Sequence, residues 1–194
     1  MNTDKNITRR TVIAGATFVP LAALTARAQA PAAALSADQM KLLEAFVDRL
    51  VPSDENGPGA VEMGAATYID RTLATANAAE KPSFVEGLAG VESLARSVHN
   101  ASFADLTPAQ RDELLTAMDS GAATNLRPFF NRVRRLTLEG MFCDPYYGGN
   151  KNFAGWDLIR YPGPRLAVAP EDQKMSTPPK PYRRSAYGNQ TQTR

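Results

Sequence analysis

The sequence predicts a small all-α domain of about five helices, followed by an irregular Gly/aromatic segment and an extended Pro-rich C-terminal tail. Three observations carry that prediction. Apolar residues recur at three- and four-residue spacing between Ser36 and Met141, the period of a helix with one buried face. Two of those stretches open with a capping box. No alternating β-branched run and no hairpin signal interrupts them. Helices of this kind stabilise one another by packing on a shared core.

A targeting segment precedes the domain. Residues 1–30 read MNTDKNITRRTVIAGATFVPLAALTARAQA: a basic start ending in Arg9-Arg10, a weakly apolar stretch from Val12 to Ala26, and small residues at Ala26 and Ala28. Cleavage after Ala28 is favoured over cleavage after Ala30, because Pro31 would follow the second bond. The surroundings of Arg9 and Arg10 resemble a twin-arginine export signal, read by a translocase that carries folded proteins. A general secretory signal with a chance arginine pair is the alternative. Gly15, Thr17, Pro20 and Thr25 interrupt the apolar stretch, which is too short to span a membrane comfortably. The organisation expected is residues 1–28 as signal, 29–163 as domain and 164–194 as tail, in a periplasmic protein.

The first helix starts in SADQMKLLEAFVDRLVP. Ser36 and Gln39 form its capping box, and Met40, Leu43, Phe46, Val47, Leu50 and Val51 line one face. Pro52 stops it, and SDENGPG is a loop by composition. A second helix is expected from about Val61 to Ala76. A third follows Pro82 with Phe84, Val85, Leu88, Val91, Leu94, Ala95 and Val98. Gly87 and Gly90 each weaken it by about 1 kcal/mol relative to Ala, so they mark a close helix crossing. The fourth has Thr107 as cap, Pro108 at the first helical position, Gln110 closing the box and Gly121 as terminator. The fifth runs from about Arg127 to Met141, with Phe129, Phe130, Val133, Leu136 and Leu138 as apolar members. The tail after Pro162 is basic and Pro-rich; alone it should be mobile, and it could order by wrapping a partner.

Charge and cysteine content narrow the function. Without residues 1–28 the chain has 18 basic and 19 acidic residues, so the alkaline isoelectric point belongs largely to the signal and gives no support for nucleic-acid binding. Residues 160–194 carry seven basic and two acidic residues, leaving the body acidic. The one histidine, His99, makes no metal cluster, and there is no C-x-x-C, H-E-x-x-H or G-x-G-x-x-G motif. Asp48, Asp54, Asp70, Asp112 and Asp144 read as caps or solvated faces. Arg127, Arg132, Arg134 and Arg135 read as a solvated or ion-paired face. The lone Cys143 leaves three readings open: a nucleophile, a buried inert thiol, or an intermolecular disulfide.

The most distinctive stretch is GMFCDPYYGGNKNFAGWDLIRYPG, residues 140–163, which holds the only cysteine and the only tryptophan. Together with AFVDRLVPSDENGPGAVEMGAATYIDRTL, it resembles the gluconate 2-dehydrogenase subunit 3 family over residues 36–163. The resemblance implies a small, non-catalytic subunit without a redox group of its own and with no cofactor in this chain. Its implied partners are a large flavoprotein subunit that binds FAD and oxidises a sugar or polyol, and a multihaem cytochrome c subunit that carries haem c. The small subunit would help the flavoprotein mature and carry it through the twin-arginine route, and the complex would sit on the inner membrane. On that reading Phe142, Asp144, Pro145, Tyr146, Tyr147, Gly148, Gly149, Asn150, Trp156, Tyr161 and Pro162 form the partner interface, and Cys143 bonds a cysteine of the large subunit. Cys143 departs from the small residue usual there, which leans toward the glucose or sorbitol branch. The alternatives are an independent periplasmic enzyme, or a general interaction protein, using the same aromatic segment.

Overall fold

A computed structural model describes residues 33–165, 170–174 and 180–188. Arg9, Arg10 and Ala28 lie outside the described residues, as do tail residues 166–169, 175–179 and 189–194. Six α-helices, joined by short 3₁₀ turns, are present among the described residues: α1 Ala37–Leu50, α2 Ala65–Ala74, α3 Lys81–His99, α4 Pro108–Ser120, α5 Arg127–Phe142 and α6 Ala154–Leu158. No strand occurs there beyond one isolated bridge between Asp54 and Gly57. No helix among them is long and apolar enough to cross a membrane.

Helices α1, α3 and α5 turn inward most of the residues their spacing marks. Leu42, Leu43, Phe46 and Val47 of α1 meet Ile69 and Leu73 of α2, Phe84, Leu88 and Val91 of α3, Leu114 and Met118 of α4, and Phe130, Val133 and Leu136 of α5. Phe46 lies at the centre, its ring 5.9 Å from Phe103, 6.1 Å from Phe130 and 6.2 Å from Phe129. Burying one such ring contributes about 1.5–3 kcal/mol. The predicted close crossing is present. A Cβ on Gly87 would lie 2.1 Å from Cδ2 of Phe129, and one on Gly90 2.7 Å from Cδ2 of Leu126, so α3 meets the start of α5 where side chains are missing.

Both capping boxes form. The Ser36 hydroxyl accepts from the Gln39 backbone N–H while the Gln39 side chain accepts from the Ser36 N–H; Thr107 and Gln110 repeat the arrangement on α4. Three expectations need correction. α2 begins at Ala65 rather than Val61, because Gly64 is left-handed (φ 79°) and residues 61–64 form turns. Val98 is exposed: Phe84, Leu88, Val91 and Ala95 set the inward line of α3, and His99 rather than Val98 continues it, with 14% of its side chain exposed. Leu138 is exposed as well, because Thr137 takes the inward place on α5 and its hydroxyl donates to the Val133 carbonyl at 2.8 Å.

The chain enters the domain through a polar lock. Asp70 on α2 is buried, and one of its carboxylate oxygens accepts from the backbone N–H groups of Ala34 and Leu35, each at 2.8 Å. Buried amides need such partners. The segment leading into α1 is thereby fixed to α2.

Candidate partner interface

The site is built on the C-terminal end of α5. A helix ends with carbonyls that lack partners within it. Here the 143–156 stretch supplies several. The Cys143 N–H donates to the Glu139 carbonyl at 2.8 Å, the Asn150 N–H to Gly140 at 2.8 Å, and the Trp156 indole N–H to Phe142 at 3.0 Å. The Asn150 side chain ties the stretch together, donating to the Cys143 carbonyl and accepting from the Gly155 N–H, both at 2.8 Å. Asn150 is fully buried and left-handed (φ 45°), a conformation that Asn adopts more readily than most residues.

Two glycines let the backbone come this close. A Cβ on Gly149 would sit 2.0 Å from the Gly140 carbonyl oxygen, and one on Gly155 1.9 Å from that of Met141. The Lys151 N–H donates to the Met63 carbonyl at 3.1 Å, so the cap also reaches the entry to α2.

The tail returns to this cap. The Tyr182 N–H donates to the Pro162 carbonyl at 2.7 Å, Arg183 pairs with Asp157 at 2.5 Å, and the Ala186 N–H donates to Asp144 at 2.8 Å. Tyr187 stacks on Tyr146 with ring centroids 4.6 Å apart, and the Tyr147 and Tyr187 hydroxyls share a hydrogen bond of 2.8 Å. Residues 180–188 thus pack on their own chain, where the composition alone pointed to a mobile tail.

The eleven predicted interface residues fall into two groups. Pro145, Gly148, Gly149, Asn150 and Trp156 are buried in the chain's own fold and hold its shape. Tyr146, Tyr147 and Tyr161 are exposed, and Phe142, Asp144 and Pro162 are half-buried. Phe142, Asp144, Tyr147, Trp156 and Tyr161 come together around an open groove of about 480 Å³. Sequence reasoning missed four of its other walls: Ile159, Pro164, Ala186 and Tyr187. The last two are some forty residues from Tyr147, and only the two tyrosines of PYRRSAY hint at them.

Several of the titratable groups singled out by the sequence are engaged in structure. Asp112 holds Arg49 through two hydrogen bonds, at 2.8 and 2.9 Å, and that guanidinium holds its carboxyl below the usual range. Asp48 lies 3.9 Å from the same arginine. Asp54 accepts from Asn56 in a turn, and Asp144 from the Tyr146 N–H at 2.9 Å. Arg135 pairs with Glu139, and Arg132 approaches Glu80. His99 ends α3, with Nε2 3.4 Å from Glu113 but not aligned for a hydrogen bond. The Cys143 thiol points into the cap, 3.5 Å from the Gly140 carbonyl, and burial pushes its pKa from 9.0 up to about 11. A nucleophilic cysteine needs the opposite shift. Among the described residues no cluster of three His, Cys, Asp or Glu side chains could hold a metal ion.

No curated protein and no solved structure matches the chain. A family model for gluconate 2-dehydrogenase subunit 3 matches residues 37–163, from the first residue of α1 to the end of the capping segment. That span is well over half of the sequence and contains the core, the α5 cap and most of the groove; the chain belongs to the gluconate 2-dehydrogenase subunit 3 family.

Proposed function

We propose that this chain is the non-catalytic small subunit of a periplasmic, FAD-dependent sugar or polyol dehydrogenase complex. The family match over residues 37–163 carries the proposal, since the family implies association with other subunits of a dehydrogenase. FAD would reside in the large subunit and haem c in a cytochrome subunit. The chain would stabilise the flavoprotein during maturation and carry it through the twin-arginine route by means of Arg9 and Arg10. Supporting the non-catalytic part, burial raises the pKa of the Cys143 thiol, and the charges of Asp144 and Glu139 raise it further, which keeps the sulfur in its neutral, weakly nucleophilic form.

The expected disulfide at Cys143 requires the sulfur to leave its contact with the Gly140 carbonyl and turn outward. Gel electrophoresis of the purified complex without reductant tests it, and separate migration of the subunits excludes it. The complex itself is tested by capturing the tagged chain from its own cells and recording a flavin absorption spectrum of what comes with it. A flavin-containing partner is expected. The paired change Arg9→Lys and Arg10→Lys should leave that flavoprotein in the cytoplasm. Capture of the chain alone, or unchanged export in the arginine variant, contradicts the corresponding part.

A further inference from the structure

Where residues 162–165 meet residues 180–188, the chain forms another hollow, of about 290 Å³. It shares only Pro164 and Ala186 with the groove beside α6. Backbone contacts build it. Gly163 is left-handed (φ 90°), and a Cβ there would collide with the Tyr182 carbonyl oxygen, so the two segments cross at a distance that only glycine permits. The Tyr182 N–H donates to the Pro162 carbonyl at 2.7 Å across that crossing. The chain then turns back on itself: the Gly188 N–H donates to the Ser185 carbonyl at 3.2 Å, and the Tyr187 N–H to the Ser185 hydroxyl oxygen at 3.0 Å.

The lining combines two chemistries. Pro164, Tyr182 and Ala186 bring apolar carbon, whereas Arg165, Arg184 and Ser185 bring donors. Each guanidinium is anchored. Nη2 of Arg165 donates to the Lys180 carbonyl at 2.9 Å, and Nη1 of Arg184 to the Tyr182 hydroxyl at 3.2 Å. A guanidinium carries five N–H donors, and the bond to Tyr182 takes one of those on Arg184. The Ser185 oxygen already accepts from Tyr187, which leaves its O–H to donate.

No carboxylate lines the hollow among the described residues. The acids that hold the tail are committed elsewhere. Asp157 pairs with Arg183, and Asp144 lines the neighbouring groove while accepting from the Tyr146 and Ala186 N–H groups. Two positive charges therefore line one small, partly apolar hollow whose lining holds no counter-charge. Such like charges repel. A carboxylate between them removes the repulsion, and guanidinium forks meet it with charge-assisted bonds.

We propose that this hollow binds a carboxylate carried on a small apolar body. The carboxylate meets Arg165, Arg184 and Ser185, and the apolar part lies against Pro164, Tyr182 and Ala186. The volume lies at the small end of ligand sites, so it admits a short organic acid or the last residue of a polypeptide. Because Pro164 and Arg165 form one side and residues 182–186 the other, the ligand joins the tail to the body. The proposal stands independently of the dehydrogenase assignment.

Calorimetric titration of the full chain, with ionic strength held constant by sodium chloride, tests it. N-acetyl-leucine should bind saturably, and its uncharged amide, N-acetyl-leucinamide, should not. Inorganic phosphate, which lacks the apolar body, should bind more weakly than N-acetyl-leucine. A short peptide ending in leucine with a free carboxylate separates the two sources. Tighter binding than N-acetyl-leucine assigns the site to a chain terminus; equal or weaker binding assigns it to a free acid. Arg165→Gln and Arg184→Gln should each weaken binding about tenfold, the size of one lost charge-assisted bond. Trp156 and Tyr187 line the adjoining groove together, so unchanged Trp156 emission shows that the tail stays docked in these variants. Equal binding of acid and amide, no binding of the acid, tighter binding of phosphate, or undiminished binding by both arginine variants overturns the proposal. The comparison of acid with amide uses the unaltered chain, so it decides even where a substitution displaces the tail.

Discussion

Helix α4 and the segment after α5 are built by opposite means. α4 carries its start and stop within itself: the Thr107–Gln110 box, Pro108 in the first turn and left-handed Gly121 at the end. Past the end of α5, the 140–163 segment has only short elements of its own: 3₁₀ turns at Pro145–Tyr147 and Lys151–Phe153, and the five-residue α6. Asn150, Asn152, Phe153 and Arg160 all have positive φ, a conformation costing non-glycine residues roughly 1–2 kcal/mol each. What holds it are hydrogen bonds to α5 and two glycine contacts with α5 carbonyls. The difference teaches where fragility lies. In the helical body stability is spread over many apolar contacts, whereas in the cap it is concentrated in a few atoms.

The largest expected effect comes from adding one methyl group to the cap. Gly155→Ala drives a Cβ into the Met141 carbonyl, and overpacking against backbone should cost about 3–4 kcal/mol or displace the segment. Urea unfolding followed by Trp156 emission measures it; a loss under about 1 kcal/mol would remove the contrast with the body. Asn150→Ala comes next. It leaves the buried Gly155 N–H and the Cys143 carbonyl without their partner, at about 2–4 kcal/mol by the same measurement.

Alkaline pH offers a gentler probe. Burial raises the Cys143 thiol from 9.0 to about 11, so the unfolded chain ionises first. This contribution to stability is intact below pH 9 and falls as pH rises from 9 toward 11. Melting temperatures of the protein and of Cys143→Ala should converge across that window. Parallel curves would show the thiol to be solvated. The smallest effect belongs to the body: Thr107→Ala loses one cap, about 1 kcal/mol, and should leave Trp156 emission before unfolding unchanged. A change there would mean that the two regions are coupled.

Legibility in the sequence follows the same division. α1 and α4 were readable to the residue at their starts, because Ser36, Gln39, Thr107, Gln110 and Pro108 act on their immediate neighbours. The purpose of Gly87 and Gly90 was readable too, since glycine inside a helix has few other uses. The α2 start was misplaced because Gly64 breaks the helix through its backbone angle, which spacing does not reveal. α6, the Asn150 links and the docking of Tyr187 had no local signal. Each depends on atoms brought together by α5, as far apart in sequence as Asp144 and Ala186. The aromatic segment stood out by composition, but composition could not separate the residues that shape it from those that face outward.

The close approach of Gly149 and Gly155 to α5 also bears on how such a subunit can change over time. Positions that accept no Cβ cannot drift, however the partner varies. Tyr146, Tyr147, Ile159 and Tyr161 meet no such barrier, since each is exposed. A lineage that exchanges one partner for another would therefore rewrite these outward side chains and the tail, while the scaffold beneath them stays the same. Re-targeting of the subunit by design should be sought in that same small set.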